Sequence, residues 1–350
     1  GLKAVMFTDV AGAIILILGT IVLTFLGFTE TGGFADLKSH LTPEFFSVIK
    51  PLTDADFPWL GVLLGAPIIG IWYWCTDQMV VQRVLSAKNR EHATTGALLA
   101  GVIKLLIILL VVVPGLIALV LFPEISADNA LPAMMTSHLL PAGLKGLMIA
   151  TFLAAMMSSL AGIFNSTATL VTMDFYRVLK PGTNQRKLVL AGRLTTAMMV
   201  VLAILSVPLI RNFSPAFFKY LILIPFYLSP PVAVIFLFSL RKKTNVAAAL
   251  NTLVWGSIIG ATRFTIDISG MTVPSGFIWI SEINVLYFTI LLFVLSILIF
   301  VATGLMSRPV VEQLLIEKMT YESGQSNNRS LVFGSMAMIL LVVIFITMFY

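Results

Sequence analysis

Long apolar runs alternate with short polar, basic or Gly/Pro-bearing segments from one end of this chain to the other. Several runs exceed the roughly 18 to 20 apolar residues that a helix rising about 1.5 Å per residue needs to cross about 30 Å of hydrocarbon. They are continuous, whereas outer-membrane strands alternate over segments of about ten residues, so helices do the crossing. The pattern predicts spans near 4–28, 57–82, 94–122, 142–174, 189–210, 216–240, 245–264, 283–306 and 331–350. That describes an all-α polytopic membrane protein with about nine transmembrane helices.

Composition agrees: 59 % of the 350 residues are hydrophobic and 11 % charged, with a mean hydropathy of +1.02, far from a soluble domain. The net charge of +6 is spread in short clusters between spans rather than over one face, so nucleic acid is not an expected partner. Alternate connections hold Arg83, Lys88 and Arg90, then Arg177, Lys180, Arg186 and Lys187, then Arg241, Lys242 and Lys243, then Arg308, Lys318 and Arg329. The positive-inside rule makes these cytoplasmic in an inner or plasma membrane, with the first residue of this chain inside and the last outside. The other connections are poorer in Lys and Arg, and two carry the acids Glu30, Asp36, Glu44, Asp54, Asp56, Glu124 and Asp128. A single Cys75 excludes an internal disulfide framework, and His40, His92 and His138 are too scattered for a metal centre. The chain starts at Gly1 with neither an initiator Met nor a signal sequence, which suggests a piece of a longer protein.

Two segments carry helix-breaking residues at membrane depth. GVLLGAPIIGIWYW (61–74) holds Gly61, Gly65, Pro67 and Gly70, and PFYLSPP (225–231) holds three prolines. Proline removes a backbone donor and frees carbonyls that must find partners, and unwound backbone in a membrane is tolerated only in protein or along a cavity. Either these are breaks that build a site, or they are GxxxG packing and ordinary kinks.

The stretch 142–178 is apolar yet carries Ser158, Ser159, Asn165, Ser166, Thr167, Thr169 and Thr172. Ala155, Ser158 and Ser159 stand at i, i+3 and i+4, so one small residue and two hydroxyls share a helix face one turn high. With carbonyls from a broken neighbouring helix they could replace part of a sodium ion's water shell. The alternative is that both serines bond back to carbonyls one turn earlier or hold helices together. Lys104 is a charge inside a span, too deep for easy snorkelling, and an unpaired ammonium there costs roughly 2.5 to 3.5 kcal/mol, so it faces a solute cavity or an ion-pair partner. Asp9 lies near the cytoplasmic end of the first span, either interfacial or on an ion exit path. Tyr73 and Trp74 directly follow the expected break and could stack on a ligand, the alternative being interface aromatics. No GxSxG, HExxH, Walker A or GxGxxG occurs in a suitable context, so no enzymatic activity is expected.

WYWCTDQMVVQRVLSAKN (72–89) and AAMMSSLAGIFNSTATLVTMDFY (154–176) closely resemble the sodium/glucose cotransporters of the sodium:solute symporter family. KAVMFTDV (3–10), KLLIILLVVVPG (104–115), AGRL (191–194) and YLSPPVAVIFLFSLRKK (227–243) follow in the same order, so the resemblance covers essentially the whole chain. It implies two inverted five-helix repeats, with residues 1–28 as the last helix of the first repeat, 29–56 an external loop, 57–240 the second repeat and 241–350 peripheral helices. The remaining first-repeat helices would be missing partners from the same protein. By motif, Ala155 (through its carbonyl), Ser158 and Ser159 match a sodium site, and Asp9 an aspartate of sodium release. Lys104 matches a sugar-contacting lysine, and Tyr73, with Trp74 beside it, a tyrosine that stacks on the sugar.

Two departures concern the solute. Ile222 stands where the sugar transporters carry a glutamine, and Gly70 where they carry a polar residue, so a polyhydroxylated ligand would lose hydrogen bonds at both. Ala161 replaces the threonine of members that couple a second sodium, which implies one coupled ion. The resemblance therefore implies sodium-coupled symport of a small polar solute, a sugar or polyol, across a lipid membrane. The lost glutamine position leaves a second reading, a non-transporting sensor or structural module that keeps the symporter fold.

Overall fold

The computed structural model describes residues 2–47, 49–125, 129–212, 215–240, 245–269 and 282–307, with 336, 337 and 340. The helices are α1 (Leu2–Thr31), α2 (Phe34–His40), α3 (Trp59–Cys75), α4 (Gln78–Leu85), α5 (Arg90–Leu121), α6 (Ala130–Thr136) and α7 (Ala142–Leu170). After them come α8 (Arg177–Leu179), α9 (Gln185–Asn212), α10 (Pro215–Ser239), α11 (Val246–Ser269) and α12 (Val285–Met306). Eight of the nine expected spans are thus helical, and no strand occurs among the described residues. The ninth, 331–350, lies outside the described residues apart from 336, 337 and 340. Among the described residues five helices are long and apolar enough to cross a membrane, or six if α3 and α4 form one bent span. The chain is an all-α, multi-pass membrane protein.

Starts and stops follow side-chain chemistry. Asn89 and Asn284 each accept a backbone N–H, from His92 and Leu286 at 2.8 Å in both cases, and so open α5 and α12. Asn245 opens α11 by accepting from Ala247 and Ala248 at 3.0 and 3.2 Å. Before α3, the backbone N–H groups of Phe57 and Asp56 donate to Asp54 at 2.7 and 3.0 Å. The Phe57 bond above all, with Asp56 and nearby Lys50, holds this exposed carboxyl below the usual carboxylate range.

The chain forms two compact units. The first holds 1–48 and 88–200 with 327–350, and the second 49–87 and 201–326, the boundary falling within α9. In the first, α1 packs on α5 and, antiparallel, on α7. Leu23, Leu37, Ile117, Met134 and Met148 form its core. A Cβ on Gly19 would come within 2.9 Å of Met148, so the α1–α7 seam closes only because that side chain is absent.

In the second unit α10, α11 and α12 pack on one another and α3 packs on α10 and α12, with Tyr227, Phe288 and Leu292 buried. Approach is closest at Gly260, where a Cβ would lie 2.1 Å from the Tyr227 carbonyl oxygen.

The expected interruptions at 61–74 and 225–231 do not unwind. α3 is helical through Gly61, Gly65, Pro67 and Gly70, and α10 through Pro225, Pro230 and Pro231. A proline frees the carbonyl four residues earlier, and for Pro230 a neighbouring helix supplies part of a donor: the Thr289 hydroxyl of α12 is shared between Val285 O of its own helix at 2.8 Å and Phe226 O at 3.1 Å. Between α3 and α4 the axis turns by 56°, past Thr76 and Asp77. The Asp77 carboxylate accepts from Met79 and Val80 N–H at 2.8 and 3.3 Å, so the second helix starts afresh there.

Candidate functional site

Polar groups inside apolar helices fall into two kinds here. Most threonine hydroxyls are absorbed by their own helix: Thr20 donates to Leu16 O at 2.7 Å, Thr151 to Leu147 O at 2.7 Å, Thr167 to Ile163 O at 2.9 Å and Thr169 to Asn165 O at 2.8 Å. This is the back-bonding alternative, and for these residues it holds.

Ser158 departs from it. Its hydroxyl donates across the seam to the carboxylate of Asp9, 149 positions earlier. Asp9 lies one turn before Gly12 on α1, and Gly12 faces Thr151 of α7 with a would-be Cβ at 3.6 Å, so the seam runs on unbroken to the pair. Ala155 and Ser158 are half-buried one turn apart, while Ser159, rotated by about 100° on the helix, is exposed. One carboxylate and one hydroxyl therefore meet at the seam, with a second hydroxyl on its open flank. All are hard oxygen donors of the kind a small cation takes. Among the described residues no group of three or more His, Cys, Asp or Glu could hold a metal ion.

Lys104 sits at an exposed position of α5, in the same unit. Gly70, Tyr73 and Trp74 belong to the second unit. The two rings lie in the last turn of α3, before the bend rather than after it, because the helix continues through the Gly/Pro segment and ends only at Cys75. They are 39 % and 45 % exposed and meet edge to face, with centroids 5.2 Å apart at 89°. Gly70 is half-buried, and a Cβ there would touch nothing within 4 Å. Ile222 falls on helical backbone of α10, with its side chain outside the described residues.

Sequence reasoning missed a buried ionic network in the second unit. Arg263 Nε lies 3.0 Å from the Asp267 carboxylate, Tyr227 donates its hydroxyl to the same oxygen, and Arg263 Nη2 donates to Ile283 O at 3.0 Å. The guanidinium also stands 5.5 Å from the centre of the Phe288 ring. The signal was available: an Arg and an Asp four positions apart inside the apolar run 246–269 share one helix face. Also missed was the widening of α7 into a π-helical turn, Val171–Tyr176, which single-residue spacing does not announce.

Comparison with known proteins agrees with this architecture. The model of the sodium:solute symporter family matches residues 1–260. The chain is similar to sodium/glucose cotransporter 1 of Ovis aries, 34 % identical over 358 residues that cover 89 % of this chain and 54 % of the relative. It is 32 % identical to human sodium/glucose cotransporter 4 over 356 residues, 90 % of this chain and 52 % of that protein. It is 35 % identical to sodium/myo-inositol cotransporter 2 of Sus scrofa over 304 residues, 76 % of this chain and 45 % of that protein. The chain spans about half the length of the curated relatives it matches.

Proposed function

The chain belongs to the sodium:solute symporter family, and on that premise we propose that the whole protein uses the inward sodium gradient to import a small polar solute by alternating access. The observation that carries this is the Asp9–Ser158 contact: among hydroxyls that bond within their own helix, Ser158 turns to a carboxylate on another. Sodium takes the Ala155 carbonyl and the Ser158 and Ser159 hydroxyls as ligands. Their other ligands come from first-repeat helices not contained in these residues. Asp9 competes for the Ser158 hydroxyl and receives the ion as it leaves, so release and the Asp9–Ser158 bond are alternatives at one oxygen.

The division of the chain at 1–28, 29–56, 57–240 and 241–350 belongs to this reading. So does an orientation with the basic connections in the cytoplasm. Relatives named for glucose and for myo-inositol both point to a polyhydroxylated solute, a sugar or polyol. Lys104 is proposed as a solute contact in the first unit, and Tyr73 and Trp74 as contacts in the second, where Gly70 and Ile222 withdraw two polar groups, which narrows the hydroxyls the protein can read.

The test is sodium-dependent uptake by full-length protein in liposomes. Ser159→Ala, at an exposed position, raises the sodium concentration for half-maximal uptake by about tenfold with the melting temperature unchanged. An unaltered sodium dependence removes the serines from the ion site. The departures at Gly70 and Ile222 favour one other reading, a sensor or structural module that keeps the fold, and absence of any uptake by the full-length protein would select it.

A further inference from the structure

Beyond the proposed ion and solute sites, the first unit contains a cavity with apolar walls and a cluster of basic and amide side chains that the transport reading does not use. It has a volume of about 850 Å³ and lies between the C-terminal end of α7 with its π-helical turn and the first half of α9. On the α7 side Asn165 and Thr172 stand seven positions apart on one face, with Arg177 following across the π-helical turn, and on the α9 side Gln185, Gly192 and Arg193 recur at helical spacing. The connecting turn reverses at Gly182, whose φ of 79° suits a residue without a side chain.

The donors are unbalanced. Two guanidiniums and two amides line the cavity, no carboxylate does, and neither arginine has an ion pair among the described residues. Thr172 is 6 % exposed, and its hydroxyl has no hydrogen-bond partner although it lies in the cavity wall. A buried hydroxyl without a partner costs about 1 to 3 kcal/mol, a cost that an acceptor brought by a ligand removes. Gly192 of α9 faces this hydroxyl, with a would-be Cβ 3.4 Å from it. The positive end of the α9 dipole adds to the same field. Arginine forks and hydroxyl donors match the oxygens of a phosphate group, and a basic pocket between helices at the end of a span is where a phospholipid headgroup arrives, its chains remaining in the bilayer.

We propose that this cavity binds the phosphate group of an anionic phospholipid, held by Arg177 and Arg193 with the Thr172 hydroxyl donating to a phosphate oxygen. The test is titration of the purified full-length protein in detergent with dioctanoyl phosphatidylglycerol, dioctanoyl phosphatidylcholine and inorganic phosphate, read by native mass spectrometry. Saturable phosphatidylglycerol binding is expected, weakened about tenfold in Arg177→Gln/Arg193→Gln and about threefold in the near-isosteric Thr172→Val. Arg186→Gln/Lys187→Gln, which removes equal charge beside the cavity but outside its lining, leaves binding unchanged. An equal loss in that control variant overturns the proposal in favour of diffuse surface charge. Displacement of the lipid by millimolar inorganic phosphate overturns the lipid assignment, and equal binding of phosphatidylcholine overturns the requirement for an anionic lipid.

Discussion

The α1–α7 seam and the α10–α11–α12 bundle both place a carboxylate and a hydroxyl in contact inside apolar helices, but they surround them differently. In the bundle Asp267 receives both Arg263 and Tyr227, and the guanidinium is covered by Phe288, so the charge is paired within the protein. In the seam Asp9 receives Ser158 from α7 at a half-buried position, with the exposed Ser159 on the next residue. A paired and covered charge holds helices together. In the seam a carboxylate bonded to a hydroxyl at a half-buried position, with a second hydroxyl exposed beside it, places hard oxygens within reach of an ion. The same residue types therefore divide into architecture and candidate chemistry by what encloses them.

Breaking the bundle should cost most. Arg263→Met strands the Asp267 carboxylate and is expected to destabilise the protein by about 3 to 5 kcal/mol, with more than half recovered in Arg263→Met/Asp267→Leu, as read by thermal unfolding in detergent. Full stability in the single variant would show that the network holds nothing together. Gly260→Ala drives a methyl into the Tyr227 carbonyl and should cost about 3 kcal/mol. Gly96→Ala in α5, where nothing lies within 4 Å, should instead gain up to about 1 kcal/mol.

In the seam, Ser158→Ala should lower stability by only about 1 kcal/mol while altering the sodium dependence of uptake far more. A large unfolding effect with normal sodium dependence would make the seam a second structural contact and erase the contrast. The smallest expected effect lies outside the helices. Because Asp54 titrates below its ordinary range, the turn it holds persists as pH falls through that range and loosens only below it. Asp54→Asn should loosen the turn at every pH, seen as faster hydrogen exchange at the Phe57 amide.

Much of this was legible in the residues. The runs at 94–122 and 142–174 became α5 and α7 with boundaries displaced by only a few residues, because hydrocarbon leaves the backbone no other way to satisfy its N–H and C=O groups. The bend after α3 was misplaced into the Gly/Pro segment. Composition marks where a helix can break, but here Asp77 decides where it does, by restarting the next helix. The prolines of α10 signalled freed carbonyls correctly, yet the donor for one of them, Thr289, is 63 positions away.

Sequence by itself determined the class, the helices and the family, since each rests on local hydropathy or on motifs read in order. Tertiary structure decided which hydroxyl leaves its own helix for a carboxylate, which charges are sealed, and that two arginines from successive helices share a cavity with an unbonded threonine. Periodicity assigns a residue to a face of its helix. What that face meets depends on how closely the helices approach, and at Gly19 and Gly260 that distance is set by the absence of a single methyl group.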